Sequence, residues 1–218
     1  MRLAHGRVSL ALHTLRSGSG PALLLLHALG GSSADWGGVA AAWPGPVHAL
    51  DFSGHGASGW LPGGGYTPEY FAGEADLALA RIGEASLAGA GLGAYVALLL
   101  AGARRQAVRA CLLLPGRGLD GGGPEPDFSV RPPELPSFPE RRDAAAPDPL
   151  VVACEQDIRP PDYAEEFARA ARRLLLAGAP NDARPPWWQA ARHSPSAEAA
   201  PDDPVAALRQ LSAGRHGG

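Results

Sequence analysis

The stretch that most constrains this chain is Ala85-Ser86-Leu87-Ala88-Gly89-Ala90-Gly91-Leu92-Gly93-Ala94-Tyr95, followed by the apolar run Val96 to Leu100. A short apolar segment enters a cluster of glycines and leaves with a helical pattern, which predicts a strand, a sharp turn and a helix. Such a turn lifts one residue to the rim of a sheet and aims backbone N–H groups at whatever sits above it. The residue at its centre is Gly91.

Strand and helix patterns alternate along the rest of the chain. Val8 to Leu15 alternates apolar and polar residues, as one or two edge strands of a half-exposed sheet would. Pro21 to Leu26 is unbroken apolar sequence, the pattern of a strand covered on both faces, and it runs into the small-residue loop His27 to Ser33. Ala34 to Ala42 suits a short helix, and Pro46 to Leu50 a strand that ends in Asp51-Phe52-Ser53-Gly54-His55-Gly56-Ala57-Ser58. Thr67-Pro68-Glu69 starts a helix with a hydroxyl cap, a proline and an acid, and Gly83 ends it. Val108 to Leu114 and Leu150 to Cys154 read as further strands, and Tyr163 to Leu175 as an amphipathic helix. Trp187 to Ala191 reads as a last strand and Pro204 to Leu211 as a closing helix. Gly116 to Pro147 is dense in proline, glycine and charge and has no period, so it reads as a lid-like coil. The alternation predicts an α/β fold, a mostly parallel twisted sheet with helices on both faces, as a single domain over 1–218.

A chain of 218 residues is of a size that α/β folds reach as one unit. The formal charge of -3 provides no basic field for a phosphate backbone, so no nucleic-acid partner is expected. All 19 basic residues are arginine, and with the heavy use of Ala, Gly and Pro this reads as the codon bias of a GC-rich bacterial genome. Met1 to Arg7 lacks the apolar core of a secretory signal, and Ala22 to Leu26 is far too short to span a bilayer, so no membrane association is expected. Cys111 and Cys154 each sit in an apolar run and read as buried, reduced thiols, in keeping with a cytoplasmic location. No metal or other cofactor is expected, and the surface patterning specifies no oligomeric state.

Gly89 to Ala94 also fits Gly-x-Gly-x-x-Ala, the dinucleotide-binding fingerprint, whose glycines and helix N-terminus cradle a pyrophosphate. That fingerprint opens the first βαβ unit, and an acid ends the next strand about 20 residues on. Here three strand-like segments come first, and the next strand ends in Leu114-Pro115 without an acid. The pattern therefore argues against a dinucleotide.

Five segments together resemble the α/β-hydrolase family of serine esterases and lipases, over nearly the whole chain. Leu26-His27-Ala28-Leu29-Gly30-Gly31-Ser32-Ser33, with Trp36, is similar to that family's His-Gly oxyanion loop. Asp51 to Ser58 resembles its Asp-x-x-Gly-x-Gly-x-Ser signature, and Gly89 to Gly93 its Gly-x-Ser-x-Gly nucleophile elbow. Cys154-Glu155-Gln156-Asp157 is similar to the loop bearing the acid, and Arg192-His193-Ser194-Pro195 to the segment bearing the histidine. The resemblance implies Asp157 and His193 as acid and base, in the family's order, and Leu29 and Leu92 as donors of the oxyanion-hole N–H groups. It also implies a pocket lined by His27, Ser32, Trp36 and Tyr95.

Two departures from the family pattern stand out. Gly91 occupies the position the resemblance assigns to the nucleophile, and acyl transfer there needs a hydroxyl that a histidine deprotonates. Loss of that nucleophile can cost roughly six orders of magnitude in turnover, leaving about 10³–10⁴ over water from the oxyanion hole and binding. The second departure is Ala28, where the family usually has glycine; its methyl group narrows the backbone angles open to the oxyanion loop. Ser32, Ser33 and Ser53 are candidate surrogate nucleophiles on the same edge. The plainer readings make His27 and His55 loop-packing residues, Trp36 a core anchor, and Arg117, Arg131, Arg141 and Arg142 solvated charges.

The expectation is a hydrolase-like protein with a degenerate triad, a pseudoenzyme at its elbow that binds at most a small molecule. The alternative is an active enzyme in which an Asp157–His193 pair moves a proton or activates water while the oxyanion hole stabilises charge. The insert over 116–147 is too proline-rich for a helical cap, so the pocket is expected to be open or covered by a coil flap.

Overall fold

The run Ala22–Leu26 lies where its composition demands, as a fully buried strand β3 between β4 (Val47–Asp51) and β5 (Ala85–Ala90), parallel to both. A computed structural model of the protein describes residues 1–119, 146–155, 159–178 and 184–214. On one side of this centre, β1 (Arg2–His5) and β2 (Val8–Arg16) pair antiparallel, and β2 joins β4 antiparallel. On the other side, β6 (Val108–Leu114), β7 (Leu174–Ala177) and β8 (Ala197–Ala200) continue the parallel sheet. The order is β1-β2-β4-β3-β5-β6-β7-β8. This is the mostly parallel α/β architecture that the alternating pattern predicts.

Successive residues of a strand face opposite sides, and the sheet builds two cores accordingly. Leu24, Leu26, Leu87, Cys111, Leu113, Leu174 and Leu176 join the larger core, with α1 (Pro68–Ile82), α2 (Leu92–Ala103), α3 (Pro161–Ala170) and α4 (Pro186–Arg192). Leu23, Leu25, Val47, Leu112, Leu175 and Ala177 point the other way, onto Trp36, Trp43 and α5 (Pro204–Ala213). Helix α2 is apolar nearly all round because it is buried nearly all round. After β3 the chain steps to β4 on one side, while β5 lies on the other, so loops at the carboxyl ends of β3 and β5 diverge. Such a switch point is where open α/β sheets form their crevice.

Several expected elements change type in the second half. Pro149–Cys154 is a 3-10 helix rather than a strand: Asp148 caps it by accepting from the Leu150 N–H, and Pro149 has no ladder donor. The helix beginning at Pro161 ends at Ala170, where Ala171 turns extended, and Leu174–Ala177 becomes a buried strand. Its apolar positions continue the helical period of the preceding residues, which is why the two merge in sequence. Trp187 to Ala191 belongs to helix α4, which starts on Pro186 and buries Trp187, Trp188 and Ala191. The actual last strand, β8, is alanine-rich and lacks the β-branched residues that mark strands. Ala34 to Ala42 resolves into two 3-10 turns, Ser33–Trp36 and Ala40–Ala42. The greater part of the expected lid-like coil, 120–145, lies outside the described residues.

Candidate functional site

The turn after β5 carries Gly91 at φ 51, ψ −116. A positive φ is open to glycine at little cost, and side chains with a Cβ are strained there. The Gly91 N–H donates to Leu114 O at 3.1 Å, and Gly91 O receives the N–H groups of Ala94 and Tyr95 to start α2. The Leu92 N–H, in the first turn of α2, has no partner within the helix and points outward. From the loop after β3, the Leu29 N–H points to the same place. Both donate to one oxygen, the carbonyl of Arg117, at 3.0 Å each.

That carbonyl belongs to Gly116-Arg117-Gly118-Leu119, the strip that follows β6. A Cβ on Gly91 would overlap Arg117 O and come within 2.5 Å of the Gly116 carbonyl carbon. A Cβ on Gly116 would sit 2.7 Å from Gly91 N and 3.2 Å from the Ala28 methyl, and one on Gly118 would sit 2.9 Å from the Cβ atoms of Leu29 and Leu92. The strip approaches this closely because both glycines flanking Arg117 lack side chains. Beyond it, the Leu119 N–H donates to Cys154 O at 2.7 Å, and Leu119 O accepts from Trp187 Nε1 at 3.2 Å. Leu119 is fully buried and, among the described residues, is the one non-glycine with positive φ, at 56°. Arg117 Nε donates to Glu155 Oε2 at 2.6 Å. At the elbow, then, the start of the expected lid-like coil is packed into the site.

The loops beside the strip are fixed by buried polar side chains. His27 Nδ1 donates to Ala28 O at 2.7 Å and its Nε2 accepts from the Phe52 N–H at 3.1 Å. His55 Nδ1 donates to Ser53 O and its Nε2 accepts from the Gly30 N–H, so each imidazole is a neutral clamp with both nitrogens engaged. Burial lowers the pKa of both, and with the neighbouring His27 it takes His55 down to about 3. Asp51 accepts from the Ser33 and Ala57 N–H groups at 2.7 and 2.8 Å and meets His13 Nε2 at 3.0 Å. Burial alone would raise its pKa; these hydrogen bonds outweigh it and hold the carboxyl below its ordinary value. The Ser53 N–H donates to Glu74 Oε2 at 2.9 Å, and burial of Glu74 on α1 lifts its pKa to about 7 against the pull of the Ser53 hydrogen bonds.

His193 does not face Gly91. It ends α4 and precedes β8, and β8 starts level with the start of β7, Leu174 opposite Ala197. Gly91 lies past the other end of the strands, where Ala90 pairs with Leu114. Along the strand direction the two residues are therefore separated by the length of β7, four residues or about 13 Å, and β8 lies three strands across the sheet from β5. His193 Nδ1 donates to Gln189 O instead. Asp157 lies outside the described residues, and Cys154 before it ends a 3-10 helix rather than a strand. In the chain's real strand order, β8 is followed by Pro201-Asp202-Asp203, which contains no histidine.

The expected pocket residues also separate. Trp36 is a core anchor on the face of the sheet that carries α5. His27 is engaged by Ala28 O in its own loop and by the Phe52 N–H in the loop after β4, and Ser32 caps the turn at Ser33 by accepting from the Ala34 N–H. Tyr95 is buried in α2, its ring 5.0 Å from that of Trp187 and under the Arg159 guanidinium. Ser53 is buried, and the Ser33 N–H is bound to Asp51. Among the described residues, no three His, Cys, Asp or Glu side chains gather as a metal site. In sequence the strip 116–119 is part of the lid-like coil, and the signal of its close approach is Gly-Arg-Gly directly after a buried strand.

A sequence model of the alpha/beta hydrolase family matches residues 23–216, so the chain belongs to that family. Among solved structures it is similar to the esterase RhEst1 from Rhodococcus sp. ECU1013, with TM-score 0.72, 21% identity and 98% of each chain covered. It is also similar to the thioesterase domain from the curacin biosynthetic pathway, with TM-score 0.69, 17% identity, and 98% of this chain and 96% of that one covered. A third likeness, to the hypothetical protein PA1622 from Pseudomonas aeruginosa PAO1, has TM-score 0.68 and 18% identity over 98% of each chain. No curated protein matches the chain by sequence. Among the described residues, no helix is long and apolar enough to cross a membrane.

Proposed function

We propose that this member of the alpha/beta hydrolase family has a degenerate triad and does not carry out serine-type acyl transfer at its elbow. In this reading Gly91 stands where the family's nucleophile would be, and the elbow binds at most a small molecule. The observation that carries it is the pairing of Leu29 N–H and Leu92 N–H on one oxygen, directly beside a residue with no side chain. The geometry of an oxyanion hole is kept while the group that would attack a carbonyl is missing. Two further facts support the reading. His193 sits at the far edge of the sheet, and the nearer imidazoles, His27 and His55, have both nitrogens engaged. The buried thiols of Cys111 and Cys154 suit a reducing, cytoplasmic setting.

Esterase and thioesterase chemistry, named for two proteins of this fold, is the activity to test. A panel of short-chain aryl esters and thioesters is offered to the natural protein and to the His193→Ala and Gly91→Ser variants. The expected result is no turnover above buffer in any of them, because a serine at 91 meets the strip. Turnover by the natural protein that His193→Ala abolishes would overturn the proposal.

A further inference from the structure

We propose that the elbow site is closed from within: residues 116–119 act as a built-in ligand that occupies the Leu29 and Leu92 N–H pair, and an external ligand reaches the pair only by displacing them. The inference rests on the reading of the elbow as a binding site and adds how that site is controlled.

The strip is held the way a bound peptide is held. Its Arg117 carbonyl takes both N–H groups, and the Arg117 guanidinium meets Glu155. Leu119 supplies a buried apolar side chain, gives its N–H to Cys154 O, and accepts at its carbonyl from Trp187 Nε1. Both departures from the family pattern fit this occupant. Gly91 vacates the volume that Arg117 O fills, and the Ala28 methyl lies against Gly116. The same contacts define what could replace the strip: a peptide-like ligand with a main-chain carbonyl for the N–H pair, an arginine for Glu155 and a leucine two residues on. Leu119 holds a left-handed conformation that its side chain disfavours, so the occupant is seated with strain that a free ligand need not carry.

Amide hydrogen exchange of Leu29 and Leu92, followed by NMR, tests this directly, with the peptide N-acetyl-Gly-Arg-Gly-Leu-amide as probe. In the natural protein both amides should be protected, and millimolar peptide should leave their signals unmoved. Gly118→Ala places a methyl 2.9 Å from the Cβ atoms of Leu29 and Leu92 and should drive the strip out. Both amides should then exchange at least about tenfold faster, as expected for a lost local contact, and the peptide should move their signals back towards the natural positions. Glu155→Gln adds no atom to the core; it should speed exchange at both amides more than at Leu24 in β3, whether or not the first variant folds.

Solvent-like exchange at Leu29 and Leu92 in the natural protein would overturn the proposal. So would peptide binding to the natural protein as strong as to Gly118→Ala, or exchange unchanged in both variants. Fast exchange without ester turnover would sink the built-in ligand alone. Turnover with both amides protected would sink the non-catalytic reading instead.

Discussion

Two loops meet at the carboxyl edge of the sheet and are held in opposite ways. The loop after β4, Asp51 to Ser58, is fixed by side chains: the Asp51 carboxylate takes two backbone N–H groups, and Ser58 Oγ accepts from the Ala11 N–H. His55 ties that loop to the one after β3. The turn after β5 is fixed by backbone, with the Arg117 carbonyl set between two N–H groups and glycines allowing the approach. A site held by side chains fails when one side chain is removed. A site held by backbone fails when an atom is added.

The largest effect should follow from breaking the first kind of hold. Asp51→Ala takes the carboxylate acceptor from the buried Ser33 N–H and the part-buried Ala57 N–H and should cost about 3–5 kcal/mol in denaturant unfolding. Next comes the second kind. Gly91→Ser adds a side chain where the Arg117 carbonyl sits and strains a positive φ, for a cost of about 2–4 kcal/mol with no gain in esterase activity.

Titration separates the loops further. The folded pKa of Glu74 is raised to about 7, so its stabilising share is full below the unfolded carboxylate value and is lost as pH rises through about 7. Glu74→Gln should therefore unfold at higher denaturant than the natural protein at pH 8, by up to about 3 kcal/mol, with the gap closing near pH 4.5. His55 and Asp51 act in the other direction. Both have depressed pKa values in the fold, so the stability they contribute is present at neutral pH and is lost on acidification, for His55 from about 6.5 down towards about 3. His55→Gln should flatten that acid limb in a pH series of melting temperatures. The smallest effect is expected at the half-exposed Arg117–Glu155 pair, where Glu155→Gln should change global stability by about 1 kcal/mol or less.

The same contrast explains what the sequence made legible. The β3 strand, the cap at Thr67-Pro68 and the Asp51 to Ser58 loop are written in residue types whose side chains do the holding, and each was readable. Gly91 was readable as a turn because a positive φ selects glycine. The Arg117 carbonyl was not, since every residue has one, and only the spacing of Gly116 and Gly118 hints at the close approach. The position of His193 is hidden for a different reason: Leu174–Ala177 extends the apolar period of α3 and β8 is mostly alanine, so neither strand stands out in sequence and nothing there shows that His193 precedes β8.

In the proposed function the elbow of this hydrolase-fold protein holds no activated nucleophile. A fluorophosphonate, which modifies activated serine hydroxyls with loss of fluoride, tests that claim by intact-protein mass. The expected result is an unmodified mass under conditions that fully label an active serine esterase. A single stoichiometric adduct on the natural protein would contradict it.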